Sequence, residues 1–148
     1  MILVDTSVWI SVLRDASRRP LLEAALGGAA PALSRFTQLE LLAGCRDESD
    51  WDLLAGYLAA QDYLELGDES WPQATRMLFD LKRRGKDVSS AISCCIAQLA
   101  IENDLLLLHG DPDFEAIAEV RNLRQRRLEL GGEKAPRGPR TGGRSPSA

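Results

Sequence analysis

The run SSAISCCIAQLAIENDLLLLHGDPDF, residues 89–114, decides how this chain folds. Its first half sets Ile92, Cys95, Ile96 and Leu99 at the i, i+3, i+4, i+7 spacing of one helical face. Only Gln98 and Glu102 are strongly polar there, so the segment reads as a helix buried on most sides. Four leucines follow at 105–108. That continuous apolar run is too short for a helix and fits a strand covered on both faces inside a parallel sheet. The sequence DPDFEAIAEV then turns through two aspartates, Asp111 and Asp113, into a last helical pattern, with Pro112 at a first-turn position.

Working outward, the same alternation repeats. MILV at the N-terminus is a short strand that stops at Asp5, and SVWISVLR (7–14) follows as a helix with Ser7 placed to cap it. RPLLEAALGG ends in a glycine pair, a common helix stop. PALS (31–34) reads as a second strand. FTQLELLAGC reads as a helix, with Leu39, Leu42 and Ala43 on one face and Gly44 near its middle. WDLLAGYLAAQ (51–61) is another amphipathic helix, and YLEL (63–66) a third strand. SWPQATRMLFDLKRRG opens on a capping Ser70, carries Pro72 in its first turn and stops at Gly85. Short apolar strands alternating with helices predict a three-layer α/β/α domain around a short, mainly parallel sheet, joined by right-handed crossovers.

The 148 residues suit one domain with one sizeable core. No apolar run approaches the length needed to span a bilayer, and no charged leader precedes an apolar one at the N-terminus, so a cytoplasmic, non-membrane protein is expected. Cys45, Cys94 and Cys95 make no disulfide framework and fit a reducing compartment. Adjacent Cys94 and Cys95 point about 100° apart on a helix, and His109 is the single histidine, so the thiols read as buried and inert rather than as zinc ligands. The net charge of −4 is unevenly spread: residues 1–120 carry 10 basic against 20 acidic side chains, residues 121–148 carry 8 against 2. After Leu130 the pattern turns to Gly, Pro, Ser and Arg, which cannot bury enough surface to offset ordering entropy. Residues 1–130 are therefore expected to form the domain and 131–148 a disordered basic tail, either a polyanion contact or a solubilising terminus.

In a parallel α/β sheet, ligands gather outside the carboxyl ends of the strands. Asp5 follows the first strand, Asp111 and Asp113 follow the fourth, and Glu40 lies within the first turns of the helix after the second. Each has an ordinary structural reading: Asp5 a turn residue, Glu40 the partner of Thr37 in a capping box TQLE, DPD a turn and cap. Their shared edge is what makes them a candidate site. Acids converging without cations between them raise one another's pKa values, and a hard divalent ion, Mg2+ or Mn2+, is the usual remedy for an all-oxygen cluster.

VDTSVWISVL, TQLELLAG and CCIAQLAIENDLLLLHGDPDFEAIA, in that order over roughly residues 1–120, resemble a PIN-domain ribonuclease of the VapC type, the toxin of bacterial toxin–antitoxin pairs. The resemblance implies a metal-dependent endoribonuclease with Asp5, Glu40, Asp111 and Asp113 as catalytic and metal-binding acids. Thr6, Ser7 and Thr37 would be hydrogen-bonding supports. It also implies an RNA substrate, a small antitoxin that blocks the site, and a homodimer. One position departs. Where the family has an aspartate in a setting like IDCLIA, this chain reads ISCCIA, with Ser93 in the acid's place. A neutral hydroxyl supplies no charge, so weaker ion binding and slower cleavage are expected. Asp87, six residues earlier, is out of helical phase and reads as a helix cap.

Arg14, Arg18, Arg19, the KRRGK cluster at 82–86 and the arginines of the tail are candidates for drawing in a phosphate backbone; solvated helix ends are the plainer reading of any single one. Trp51 and Trp71 are candidates for a protein interface, with core packing the expectation. The alternative function is a catalytically inactive PIN-like module that binds antitoxin or RNA. A receiver or haloacid-type phosphatase also places an aspartate after its first strand, but VDTSV lacks the second aspartate of the DxD pattern.

Overall fold

The computed structural model describes residues 1–88 and 90–130; the expected disordered tail at 131–148 lies outside the described residues. Ile2–Val4 (β1), Pro31–Ser34 (β2), Tyr63–Leu64 (β3), Leu106–His109 (β4) and Gln125–Arg127 (β5) form one sheet in the order β3-β2-β1-β4-β5. Every neighbouring pair is parallel, with Leu3 opposite both Ala32 and Leu107 and Val4 opposite Leu108. The helices are Thr6–Arg14 (α1), Arg19–Leu26 (α2), Arg35–Ala43 (α3), Glu48–Ala59 (α4), Ser70–Arg83 (α5), Ala91–Glu102 (α6) and Pro112–Ala118 (α7).

Alternate strand residues feed two cores, as the period of two requires. Leu3 and Leu107 point into the larger one, with Met77 and Leu81 of α5, Ile96 and Leu99 of α6, and Phe114 and Ile117 of α7. Val4 and Leu108 point the other way, onto Val8 of α1, Leu22 of α2 and Leu130. The result is the expected helix–sheet–helix sandwich. Residues Ser93 to Ala100 of α6 are all buried, which matches its nearly unbroken apolar sequence. Ser70 Oγ donates to Glu102 at 2.7 Å, tying the start of α5 to the end of α6.

Several local expectations are overturned. Asp5, not Ser7, caps α1, because its carboxylate accepts the amide of Ser7, the second residue of the helix. Ser34 caps α3 and accepts the Thr37 amide, so Thr37 lies inside the helix and TQLE is no capping box. That helix stops at Ala43 with Gly44 as its cap rather than continuing through it. Leu41 is its buried leucine and Phe36 packs against the larger core, while Leu39 is 61% exposed. Ser70 is within α5, whose cap position is Glu69. Ser90, not Asp87, caps α6. Trp51 and Trp71 are 45% and 48% exposed and so are not core residues. Cys94 and Cys95 are buried as expected, but Cys45 is only half-buried. Burial, with Cys95 and Asp113 adding, pushes the Cys94 thiol up to about 11, in keeping with an inert side chain.

Candidate metal and catalytic cleft

Because the strands are parallel, their carboxyl ends form one rim, and an open cleft of about 170 Å³ lies there. Asp5, Thr6, Ser7, Ile10, Glu40, Ser90, Ile92, Ser93, Ile96 and Asp111 line it, which brings β1, α1, α3, α6 and the β4–α7 turn to one place. Among the described residues no lysine or arginine belongs to that lining.

The acids are held by hydroxyls. Asp5 Oδ2 accepts from Ser7 Oγ at 2.5 Å and from the Ser7 amide at 3.0 Å. Ser7 Oγ in turn accepts the Gly110 amide at 2.9 Å, so one hydroxyl fastens the end of β1 to the turn that carries Asp111. Thr6 Oγ1 lies 3.0 Å from both Glu40 Oε1 and Thr37 Oγ1, and Ser34 Oγ stands 3.3 Å from Thr37 Oγ1. A hydroxyl has one proton. With that of Thr6 given to Glu40, the chain Ser34–Thr37–Thr6–Glu40 runs in one direction and orients the carboxylate. The expected supports Thr6, Ser7 and Thr37 therefore do contact the acids or one another.

Burial pushes the Asp5 carboxyl above its ordinary range, and the nearby Asp111 charge adds to this against the pull of the Ser7 hydrogen bonds. Glu40 is raised as well, first by burial and then by Asp5 and Asp111, with the Thr6 hydrogen bond opposing. The three carboxylates thus feel one another. Among the described residues, no three His, Cys, Asp or Glu side chains already stand in a grouping that could hold an ion. The donor chemistry nonetheless fits a hard divalent cation: oxygens only, uncompensated negative charge and an open approach. An ion with several waters of its own would bridge the gaps, which is how Mg2+ usually binds.

Asp113 is placed differently from the other three. It is 5% exposed, lies outside the cleft lining, and its Oδ2 sits 3.3 Å from Ser93 Oγ. Asp87 is exposed and absent from the lining. Of the basic candidates, Arg18 donates to Ser11 Oγ at 2.6 Å, Arg19 pairs with Glu23 at 3.4 Å and Lys86 pairs with Glu119; none lines the cleft.

One residue with a part in this geometry escaped the sequence reading. His109 is fully buried; its Nδ1 accepts the Asp111 amide at 3.1 Å, and its Nε2 lies 2.6 Å from Gln125 Oε1. An amide can only donate, so Nδ1 carries no hydrogen and the Nε2 proton goes to Gln125. The ring thereby pins the turn bearing Asp111 to β5. Its position at the end of a buried strand, two residues before an acid, was the available signal.

The PIN domain family matches residues 2–120. Ribonuclease VapC11 of Mycobacterium tuberculosis is 32% identical over 131 residues, covering 83% of this chain and 96% of the relative. Ribonuclease VapC51 of the same organism is 34% identical over 121 residues, covering 80% and 85%. In overall shape the chain resembles VapBC-1 from nontypeable Haemophilus influenzae (TM-score 0.70, 17% identity, 86% and 98% covered). DNA-bound VapBC from Salmonella typhimurium gives TM-score 0.70 at 18% identity, with 87% and 100% covered.

Proposed function

The chain belongs to the PIN-domain family and groups with its VapC ribonucleases, and on that premise we propose that it is the toxin of a toxin–antitoxin pair and hydrolyses RNA phosphodiester bonds with a divalent ion, Mg2+ or Mn2+. The observation that carries this reading is the cleft: Asp5, Glu40 and Asp111 reach it from three separate elements, and among the described residues no basic side chain lines it.

In this mechanism Asp5, Glu40 and Asp111 would hold the ion, with Asp113 supporting the site through its contact with Ser93. Bound there, such an ion would supply a more acidic water and would offset charge on the phosphate. Ser7 and Thr6 keep the Asp5 and Glu40 oxygens turned into the cleft. Ile10, Ile92 and Ile96 give it apolar walls on which the non-reacting parts of a substrate would pack.

The acidic body repels RNA at long range, so exposed basic residues, Arg14, Lys82, Arg83 and Arg84 among the described ones, would draw in a backbone. An antitoxin and a second copy of the chain are the proposed protein partners, after the VapBC complexes it resembles. Leu13, Leu39, Leu53 and Tyr57, all at least 60% exposed on α1, α3 and α4, leave apolar area for such contacts. Among the described residues no helix is long and apolar enough to cross a membrane, and a cytoplasmic location suits the free thiols.

The deciding experiment incubates the purified chain with single-stranded and structured RNAs in Mg2+, Mn2+ or EDTA, beside Asp111→Asn. Cleavage that needs the ion and falls at least about 100-fold in the variant is expected, a loss of about 2.7 kcal/mol in transition-state stabilisation. Cleavage that survives both EDTA and the substitution would refute the assignment.

A further inference from the structure

Besides its acids and their hydroxyl supports, the cleft is lined by two more hydroxyls, Ser90, whose oxygen caps α6 by accepting the Ile92 amide, and Ser93. Ser93 stands in the first turn of α6, is 5% exposed, and lines the cleft with Asp5, Glu40 and Asp111. Its Oγ lies 3.3 Å from Oδ2 of Asp113, a long hydrogen bond between two buried groups. An ionised carboxylate only accepts, whereas a hydroxyl has one proton and two lone pairs. With its proton directed to Asp113, Ser93 has lone pairs left for the cleft, where a cation or the hydrogen of a metal-bound water would meet them.

Resting on the divalent-ion reading of this cleft, we propose that Ser93 is a neutral oxygen donor to the ion or its water, and that Asp113 is a positioning residue acting through Ser93. The arrangement differs from a ring of carboxylates. An acid at position 93 would face Asp5 and Asp111 across the cleft and stand against the buried Asp113. Without an ion, that repulsion would weaken the fold. Serine avoids it and gives up charge for the ion. Asp113 keeps a role in the site without touching the ion.

The test is calorimetric titration of Mn2+ into metal-free protein, with the spin-resonance signal of free Mn2+ as a second readout. It compares the wild type with Ser93→Ala, Ser93→Thr, Ser93→Asp, Asp113→Ala and the Ser93→Ala/Asp113→Ala double variant, each first checked by thermal melting. Ser93→Ala is expected to weaken Mn2+ binding about 10-fold, at the low end for groups that tune a metal site. Ser93→Thr, which keeps the hydroxyl, should restore it. Asp113→Ala should match Ser93→Ala, and the double variant should be no weaker than Ser93→Ala, because residues acting through one contact are not additive. Ser93→Asp should bind Mn2+ more tightly than wild type yet melt lower without it. Wild-type affinity in Ser93→Ala would overturn the role of Ser93, and fully additive losses in the double variant would make Asp113 a ligand itself. Should Asp113→Ala fail to fold, the alanine–threonine pair at 93 still decides the serine's role. No Mn2+ uptake by the wild type would refute the ion-binding reading of the cleft, an outcome distinct from a wild type that binds and variants that bind equally well.

Discussion

Asp5 has two duties that pull against each other. As the cap of α1 its carboxylate satisfies the Ser7 amide, which favours ionisation. As a buried acid near Asp111 it resists ionisation, and burial dominates. A carboxyl whose pKa is raised by folding adds stability below its unfolded value, and that stability is lost as the pH rises through the folded pKa. The metal-free protein should therefore lose stability between acid and neutral pH through Asp5 and Glu40. Asp5→Asn keeps a good helix cap and removes the charge. In EDTA at pH 7 it is expected to melt a few degrees above wild type, with the difference vanishing below the ordinary carboxylate range. Mn2+ should then raise the wild-type melting temperature and leave Asp5→Asn unmoved. Scanning calorimetry at the two pH values, with and without Mn2+, checks each part; a variant that melts lower than wild type at pH 7 would contradict it. At this scale the sequence was informative about residue type and position. The acids stood out as Asp and Glu near the carboxyl edge of the sheet, whereas the hydroxyl supports Thr6, Ser7 and Thr37 came from the family resemblance. Which hydroxyl meets which acid depends on contacts such as Thr6 to Glu40, 34 residues apart, that no local pattern encodes.

Elements were read best where their apolar pattern was strong and least well where polar residues set the boundary. The α6–β4 pair follows its sequence closely, since a nearly continuous apolar segment has few alternatives to burial. The start of α3 does not. Both Ser34 and Thr37 can cap a helix, and the choice falls to Ser34 because it ends a strand whose buried hydroxyl reaches the Thr37 amide at 3.1 Å. Ser34→Ala leaves that amide without its cap and should cost about 1 kcal/mol, a melting temperature lower by about 3 °C for a chain of this size. Because α3 also carries Glu40, Mn2+ affinity should fall with it; thermal melting and titration on one sample would show whether the two losses travel together. The strand β5 was missed altogether. Its residues, Gln125, Arg126 and Arg127, have no apolar signature, as is common at a sheet edge, where charge discourages pairing with another chain. It is held instead by its parallel pairing to β4 and by the His109–Gln125 contact.

At the scale of the molecule, two cores share one sheet, and the chain's last described residues close the smaller core. Leu128 and Leu130 pack with Val4, Val8 and Leu108, and Leu130 is only 8% exposed. A chain ended after Leu130 is therefore expected to melt cooperatively near the full-length temperature. One ended after Arg127 loses both leucines and should be destabilised by at least about 2 kcal/mol, the lower cost of deleting one buried leucine side chain. Denaturant unfolding of the two truncations tests the domain boundary directly, and equal stabilities would move it. The sequence by itself determined the alternation of strand and helix, the parallel character of the sheet and the edge at which the acids emerge. These follow from short apolar runs, from crossover connections and from the polarity of parallel strands, all local or topological facts. Only the tertiary structure decided that Ser93 faces the cleft while Asp113 stands behind it, that His109 pins the Asp111 turn, and that Ser7 links β1 to β4. Those are side-chain contacts between residues 16 to 103 positions apart. Their partners are chosen by how the helices pack across the sheet, which no single segment carries.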